Sequence, residues 1–143
     1  TSYSGTNNVN AVAWYATNGE DKTHEVAGKV ANMYGIYDMN GNVWEWCWDW
    51  YGNYHPQDKE NPRGEQDASI TGRKIRRGGS FKSEAVFVRN ANRASSEPSL
   101  RGVDLGFRVV RSDVKAPLSI ELPEETPLVT DDIVEVEFVS NEK

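Results

Sequence analysis

Four residues in one short stretch carry oxygen atoms at a spacing that suits a hard metal cation. Asp38 and Glu45 supply carboxylates, and the two-residue repeat of an extended backbone brings the carbonyl groups of Gly41 and Val43 near Glu45. Calcium takes about six to eight oxygen ligands from carboxylates, backbone carbonyls and water. We therefore predict a calcium site formed by Asp38, Gly41, Val43 and Glu45, with water completing the coordination.

An interpretation without a metal accounts for the same residues. Asp38 also suits the start of a turn, because its side chain can accept a hydrogen bond from the backbone two residues on. Glu45 would then pair with one of the chain's arginines. The spacing lacks the carboxylate density of an EF-hand loop, so the residues alone leave both interpretations open.

The surrounding residues indicate which elements position this site. Residues 38–42 are Asp, Met, Asn, Gly and Asn, a composition that tolerates left-handed backbone and predicts a tight turn. The run Trp44–Trp50 alternates tryptophan with acidic residues and Cys47, which predicts a strand with four indoles on one face. Such a face must be buried or used for binding, and we expect it to form the core.

Composition bounds the size and chemistry of the protein. The chain has 143 residues, enough for one modest domain, and 10% aromatic residues, which favours a small aromatic core. Its single cysteine, Cys47, excludes an internal disulfide and a cysteine-based zinc cluster, and is expected to be a small buried residue. No apolar stretch reaches the roughly 18 residues of a transmembrane helix, so we predict no membrane span.

The net charge of −6 is unevenly distributed. Residues 112–143 carry nine acidic side chains against two lysines, which leaves residues 1–111 close to neutral. This balance argues against nucleic acid as the partner. It also divides the chain into a domain over residues 1–111 and an acidic, β-rich extension, or linker to a further module, over residues 112–143.

The remaining elements are short. Residues 9–15 predict a short helix or strand, residues 23–27 a short strand, and residues 105–111 an alternating strand. Residues 52–72 lack a hydrophobic period and predict a long surface loop. Three residues at its start could line a cleft: Tyr51, Tyr54 and His55.

Three sequence blocks, taken in order, resemble the C-terminal half of the sulfatase-modifying factor family, whose best-known member is the formylglycine-generating enzyme. They are GIYDMNGNVWEW at 35–46, RGGSF at 77–81 with Arg89 and Arg93 beyond it, and LGFRVV at 105–110. The resemblance covers roughly residues 9–111. It implies an α+β fold of low regularity related to the C-type lectin fold, an extracytoplasmic location, and calcium bound by the four residues named above. Because the family's domain begins well upstream, it also implies a fragment, or a second polypeptide that completes the fold.

The resemblance also bears on catalysis. The enzymes of the family use two redox-active cysteines in the segment after the Gly-Gly-Ser motif, and residues 82–88 contain no thiol. Serine and valine cannot replace thiolates as copper(I) ligands or in thiol redox chemistry. We therefore expect no formylglycine formation and assign no catalytic residues.

Non-catalytic variable proteins of the same family display ligand-binding residues on this scaffold. By resemblance, we expect a binding or scaffold module that recognises a ligand, with protein or peptide as the candidate, through loops 51–72, 82–88 and 94–104. The expected surface residues are Tyr51, Tyr54, His55, Lys82, Ser83, Glu84, Val86, Phe87, Ser96, Glu97 and Leu100.

Two alternatives remain on the residues alone. One is an oxidase or transferase of different chemistry in the same cleft, with Ser83, Tyr54, His55 and Arg89 as its candidates. The other is a structural part of an extracellular lipoprotein assembly, joined through the acidic segment after Pro117. In every case we expect Arg77, Arg89, Arg93 and Arg108 to form buried or half-buried pairs with Asp38, Glu45, Asp49 or Asp104.

Overall fold

The computed structural model describes residues 1–54, 64, 65 and 71–110. Among them a single turn of helix, α1, spans Val9–Val12, and a 3₁₀ turn spans Ala85–Val88. The strands are β1 (Ala13–Trp14), β2 (Asn40–Gly41), β3 (Trp44–Trp50), β4 (Lys74–Arg77), β5 (Ala94–Ser96) and β6 (Leu105–Gly106). This confirms the predicted α+β fold of low regularity. His55, most of the 52–72 loop and the predicted 112–143 extension lie outside the described residues.

Strand β3 occupies an inner position of the larger sheet, whose order is β5-β4-β3-β6. It runs antiparallel to β4, with Glu45 opposite Arg77, and parallel to β6, with Trp44 opposite Leu105. Strands β1 and β2 form a separate parallel pair. The register between β3 and β4 slips in the second half of β3, and an irregularity of this kind adds local twist. The strand predicted for the tryptophan run is therefore confirmed, although it is not regular.

Trp44 lies in the core as predicted, whereas Trp46 and Trp50 are half-buried and Trp48 is exposed, so the prediction that the whole tryptophan face forms the core is wrong. Trp44 is buried with 8% of its surface exposed, whereas Trp48 is 81% exposed. The ammonium group of Lys74 lies 3.9 Å from the ring centroid of Trp50 and 5.1 Å from that of Trp48. Because the register slip breaks the two-residue repeat, the later rings turn away from the core and stack against a cation.

The core lies between β1 and the 3₁₀ turn. Ala13, Tyr15 and Val88 pack together, and Val12, Ile75 and Phe81 are also buried. This apolar set is small for a domain of this size, so buried hydrogen bonds supplement it.

Two buried asparagines connect the turn at residues 38–42, called the acidic turn below, to its neighbours. The Asn40 side chain donates to the Val88 carbonyl at 2.6 Å and accepts from the Ser4 N–H at 2.8 Å. The Asn42 side chain accepts from the His24 N–H at 3.0 Å and donates to the His24 carbonyl at 3.1 Å. Each amide thus replaces part of a strand ladder and satisfies backbone groups that burial would otherwise leave unpaired.

Three short predictions need correction. Residues 9–15 combine both alternatives, a helical turn followed by a strand. Residues 23–27 form no strand, because the Asn42 side chain takes the place of a strand partner at His24. The strand predicted at 105–111 ends at Gly106, and Phe107 and Val109 are 76% and 86% exposed. No helix within the described residues has the length and apolarity needed to cross a bilayer.

Gly41→Ala tests how strongly the acidic turn depends on close backbone contact. A Cβ at Gly41 would lie 2.1 Å from the Trp14 carbonyl oxygen, whereas a Cβ at Gly35 would meet nothing within 4 Å. Both glycines have φ near +74°, so both substitutions carry the same left-handed strain of about 1–2 kcal/mol. We expect Gly41→Ala to reduce the free energy of unfolding by a further 1–3 kcal/mol or so. Urea unfolding followed by tryptophan fluorescence measures both variants, and equal losses would contradict the packing argument.

Candidate functional site

The four predicted metal ligands surround one cavity of about 510 Å³. Asp38, Gly41, Val43 and Glu45 all line it. The backbone is left-handed at Asp38 and Gly41, with φ of +55° and +74°, which turns the loop sharply around the cavity. The Asp38 carboxylate accepts a hydrogen bond from the Ala27 N–H at 2.8 Å. The structure therefore brings the predicted ligand residues together and fixes one of the two carboxylates.

Glu45 pairs with Arg108 through both of its carboxylate oxygens. Arg108 donates from Nε to Oε2 at 2.7 Å and from Nη2 to Oε1 at 2.5 Å. The same guanidinium also donates to the carbonyl oxygens of Tyr37 and Asp38, at 3.2 and 3.1 Å. The hydrogen bond to Glu45 raises the pKa of Arg108. The predicted pairing of Arg108 with a carboxylate of this loop is confirmed.

The other three arginines predicted to pair with carboxylates make different contacts within the described residues. Arg77 donates to the Asn90 and Asn92 carbonyls at 3.2 Å. Arg89 donates from Nε to a backbone carbonyl at 2.9 Å, and Arg93 stacks on tyrosine. Pairing of these three with Asp38, Glu45, Asp49 or Asp104 was therefore a wrong prediction. The turn after the 3₁₀ segment presents its carbonyls to Arg77, and the 3₁₀ segment itself presents the Val86 carbonyl to Arg89.

The donor set of the loop suits a hard cation in chemistry and in number of charges. The carboxylates of Asp38 and Glu45 are oxygen ligands of the type that calcium prefers, and Gly41 and Val43, whose carbonyls complete the predicted set, line the same cavity. Within the described residues no group of three or more His, Cys, Asp or Glu side chains gathers at a metal-binding distance, so the site would depend on carbonyl and water ligands. To bind a cation, Glu45 would also have to share or release Arg108. Calcium at this loop stays a prediction.

Tyr51 and Tyr54 form an aromatic cluster with two arginines. The Arg93 guanidinium lies 3.9 Å from the ring centroid of Tyr54 and 5.3 Å from that of Tyr51. Arg77 donates to the Tyr54 hydroxyl at 2.9 Å. Tyr54, Arg77 and Arg93 also line a cavity of about 250 Å³. The start of the long loop therefore lines a cleft, as its composition suggests.

Phe87 joins this cluster through the turn that follows the 3₁₀ segment. The Asn92 side chain donates to the Phe87 carbonyl at 2.8 Å, and the Asn92 carbonyl accepts from Arg77. Phe87 and its neighbour Val86 are both exposed. Two stretches of the expected ligand surface thus meet through Arg77. We call the set Tyr51, Tyr54, Arg77, Phe87 and Arg93 the tyrosine–arginine surface.

The other expected surface residues are less uniform. Lys82 and Glu84 are exposed, but Ser83 turns inward, where its hydroxyl accepts from the Ser80 N–H at 3.0 Å. Ser96 is buried in β5, although it lines a cavity of about 440 Å³ together with two exposed neighbours, Glu97 and Leu100. Among the described residues the side-chain hydrogen bonds of Ser83 are with Ser80, whose hydroxyl donates to the Asp104 carboxylate at 2.9 Å. No His, Asp or Glu side chain of the described residues therefore contacts the Ser83 hydroxyl directly.

Sequence reasoning missed a cavity of about 890 Å³, larger than the three cavities described above. It is lined by Met39, Trp46, Cys47, Trp48 and Val110 among others. Burial raises the pKa of the Cys47 thiol, and the positive charge of Arg77 opposes that shift only in part. The alternating tryptophans were a signal for this cavity, since their pattern predicts a face that is either buried in the core or used for binding.

The chain has relatives among characterised and solved proteins. It matches the model of the sulfatase-modifying factor enzyme 1-like domain over residues 2–113. It is 35% identical over 127 residues to the chaperone protein LppX of Paenibacillus barcinonensis, covering 77% of this chain and 41% of that protein. It is 36% identical over 81 residues to the formylglycine-generating enzyme of Mus musculus, covering 54% of this chain and 21% of the enzyme.

Among solved structures, the chain is similar to Treponema denticola variable protein 1. The TM-score is 0.67 at 39% sequence identity, and the match covers 74% of this chain and 39% of that one. The chain thus spans about two fifths of the length of LppX and of the variable protein. The family match, over residues 2–113, covers well over half of the chain. This chain belongs to the sulfatase-modifying factor enzyme 1-like domain family.

Proposed function

We propose that this chain is a non-catalytic binding or scaffold module. Calcium stabilises residues 38–45, which we call the acidic loop, and loops 51–72, 82–88 and 94–104 present a ligand surface. The observation that carries the proposal is the tyrosine–arginine surface. Tyrosine and arginine are enriched among the residues that dominate binding energy at protein interfaces. Here Arg77 and Arg93 are held in place against Tyr54, so less conformational entropy is lost when a partner binds.

The charge around this surface favours an acidic protein or peptide as the ligand. Residues 71–101 contain eight Lys and Arg residues and two acidic residues. These residues include β4, β5 and the 3₁₀ turn between them. A surface of this kind attracts a negatively charged partner and accelerates association.

The state of the thiol supports a role without catalysis. Cys47 is the chain's single cysteine, and its pKa is raised by burial. The thiolate, which is the reactive form, is therefore disfavoured. Residues 82–88, where the enzymes of the family carry their cysteines by the resemblance described above, contain no thiol.

A second polypeptide that completes the fold is the partner we propose for the apolar surface beside β3. Trp48, Phe107, Val109 and Val110 are each at least 76% exposed, and two of them line the 890 Å³ cavity. Exposed apolar groups in such number mark a protein contact. The relatives of known length have a large remainder outside the matched region, and we assign this surface to an equivalent segment. The family resemblance further supports a scaffold of the C-type lectin kind and an extracytoplasmic location.

Native mass spectrometry of the protein isolated from its source tests this partner. We expect an assembly in which the chain is accompanied by further polypeptide, covalently continuous or bound, that protects Trp48 from solvent. Acrylamide quenching of tryptophan fluorescence would then be weaker than for this chain produced alone. A chain that is found alone and is quenched equally in both samples would contradict the proposal.

Glu45→Gln and Asp38→Asn test the calcium loop. Each removes one charge from the proposed ligand set, so we expect calcium affinity by isothermal titration to fall at least about tenfold. The rise in melting temperature that calcium gives the wild-type protein should shrink in the same variants. Glu84→Gln is the matched control, since it removes an exposed carboxylate from another loop and should change neither quantity. Wild-type protein without any calcium-dependent heat or stabilisation would refute the calcium part of the proposal.

Tyr54→Ala and Arg93→Ala test the ligand surface. A phage-displayed peptide library, selected against the wild-type protein, supplies the probe peptides. We expect the selected peptides to be acidic and to lose about tenfold or more in affinity for each variant, a typical cost for a tyrosine or arginine at an interface centre. Tyr34→Ala is the control, because Tyr34 is an exposed tyrosine outside the surface. Peptides that bind all three variants alike would contradict this assignment.

A further inference from the structure

Arg108 uses both oxygens of a carboxylate that the proposed calcium site also needs. Its Nε and Nη2 groups donate to the two oxygens of Glu45 at 2.7 and 2.5 Å. A bidentate arginine–carboxylate pair is among the stronger charged interactions in proteins, because two parallel hydrogen bonds add to the attraction of the charges. Glu45 therefore has no oxygen in this arrangement that is free of a guanidinium contact.

The same guanidinium also contacts the loop that carries Asp38. It donates to the carbonyl oxygens of Tyr37 and Asp38 at 3.2 and 3.1 Å, and it lines the 510 Å³ cavity together with the four candidate ligands. Arg108 thus lies where a divalent cation between Asp38 and Glu45 would be repelled by its positive charge. Calcium bound at about 2.3–2.6 Å from a Glu45 oxygen would have to share that oxygen or displace Arg108.

Charge and solvent exposure make an exchange feasible. Asp38 and Glu45 together offer two negative charges, and Arg108 cancels one of them. Calcium affinity depends on the number of ligand charges, so the pair must weaken the site. The side chains of Arg108 and Glu45 are 35% and 22% exposed, which leaves both groups within reach of water and ions.

Arg108 also holds the segment that follows β6. The strand ends at Gly106. Within the described residues, the Arg108 side chain is the donor of every hydrogen bond that segment 107–110 makes. Its neighbours Phe107 and Val109 are largely exposed. A loss of the Glu45 pair would therefore leave this segment held only by the hydrogen bonds from Arg108 to the Tyr37 and Asp38 carbonyls.

We propose that Arg108 competes with the metal: its guanidinium and a divalent cation are alternative partners of Glu45, and cation binding loosens segment 107–110 by removing the Glu45 pair. The inference rests on the calcium loop of the proposed function. It adds to that function a reason for weak, exchangeable binding and a structural consequence of binding.

Arg108→Ala should therefore tighten calcium binding. We expect a gain of about tenfold by isothermal titration, and a matching gain in terbium luminescence sensitised by Trp44, which is adjacent to the ligands in sequence. Lys22→Ala is the control, because it removes another charged pair, Lys22 with Glu20 at 2.7 Å, and should leave the affinity unchanged. Should Arg108→Ala fail to fold, as judged by near-ultraviolet circular dichroism, Arg108→Lys replaces it. Lysine cannot form the bidentate pair, so its gain should be smaller but present.

Nuclear magnetic resonance of the wild-type protein gives an independent readout. The Nε–H signal of Arg108 should move towards the position of a free arginine as calcium is added. The Nε–H signal of Arg73, which donates to the Ser95 hydroxyl at 3.1 Å, should not move.

The outcomes separate this inference from the calcium proposal. Calcium binding by the wild-type protein with equal or weaker binding by Arg108→Ala and no gain for Arg108→Lys would overturn the competition and leave the calcium loop standing. Binding that appears only after Arg108 is replaced would support the competition in its strongest form. The absence of binding in every variant at millimolar calcium would overturn both.

Discussion

The close approach of two backbones at Gly41 is the constraint on which the rest of the structure depends. Its N–H donates to the Gly78 carbonyl at 2.8 Å, and the next N–H, of Asn42, donates to the Trp14 carbonyl at 2.7 Å. One turn thereby joins strand β1, the Gly-Gly segment after β4 and the start of β3. Because a side chain at Gly41 would overlap Trp14, this junction forms only where the chain has no Cβ.

Arginines of the described residues are held by two kinds of partner, carboxylates and neutral groups. Arg108 pairs with a carboxylate, whereas Arg77 is satisfied by carbonyl oxygens and Arg93 rests on aromatic rings. Charges neutralised by carboxylates contribute little to the field around a protein, while charges held by neutral groups keep it. Arg77 and Arg93 lie against neutral partners, although Asp49 and Glu65 line the same cavity. Arg108 neutralises one carboxylate beside the acidic loop.

The tryptophans of β3 serve several roles. Trp44 is buried beneath the Arg76 guanidinium, which lies 4.6 Å from its ring centroid, and Trp50 stacks with Lys74. Trp48 stays exposed beside the 890 Å³ cavity. An indole can pack against a cation as readily as against apolar side chains. The strand therefore carries a large aromatic area without placing all of it in the core.

The sequence by itself determined the features that local chemistry controls. The Asp-Asn-Gly composition of residues 38–42 predicted the tight left-handed turn, the alternation of Trp44–Trp50 predicted β3, and the ordered blocks predicted the family. These features depend on backbone preference, side-chain periodicity and motif order, and all three are visible along the chain.

Only the tertiary structure decided which side chains meet across long sequence separations. The choice of Arg108 rather than Arg77 for Glu45, the stacking of Arg93 on Tyr54, and the exposure of Trp48 depend on strand register and on a slip within β3. A shift of one residue in register exchanges the faces of a strand, and four nearby arginines are equivalent partners in sequence. Their geometry is fixed only when β4, β5 and β6 assemble around β3, since no residue pattern within one strand specifies its neighbours.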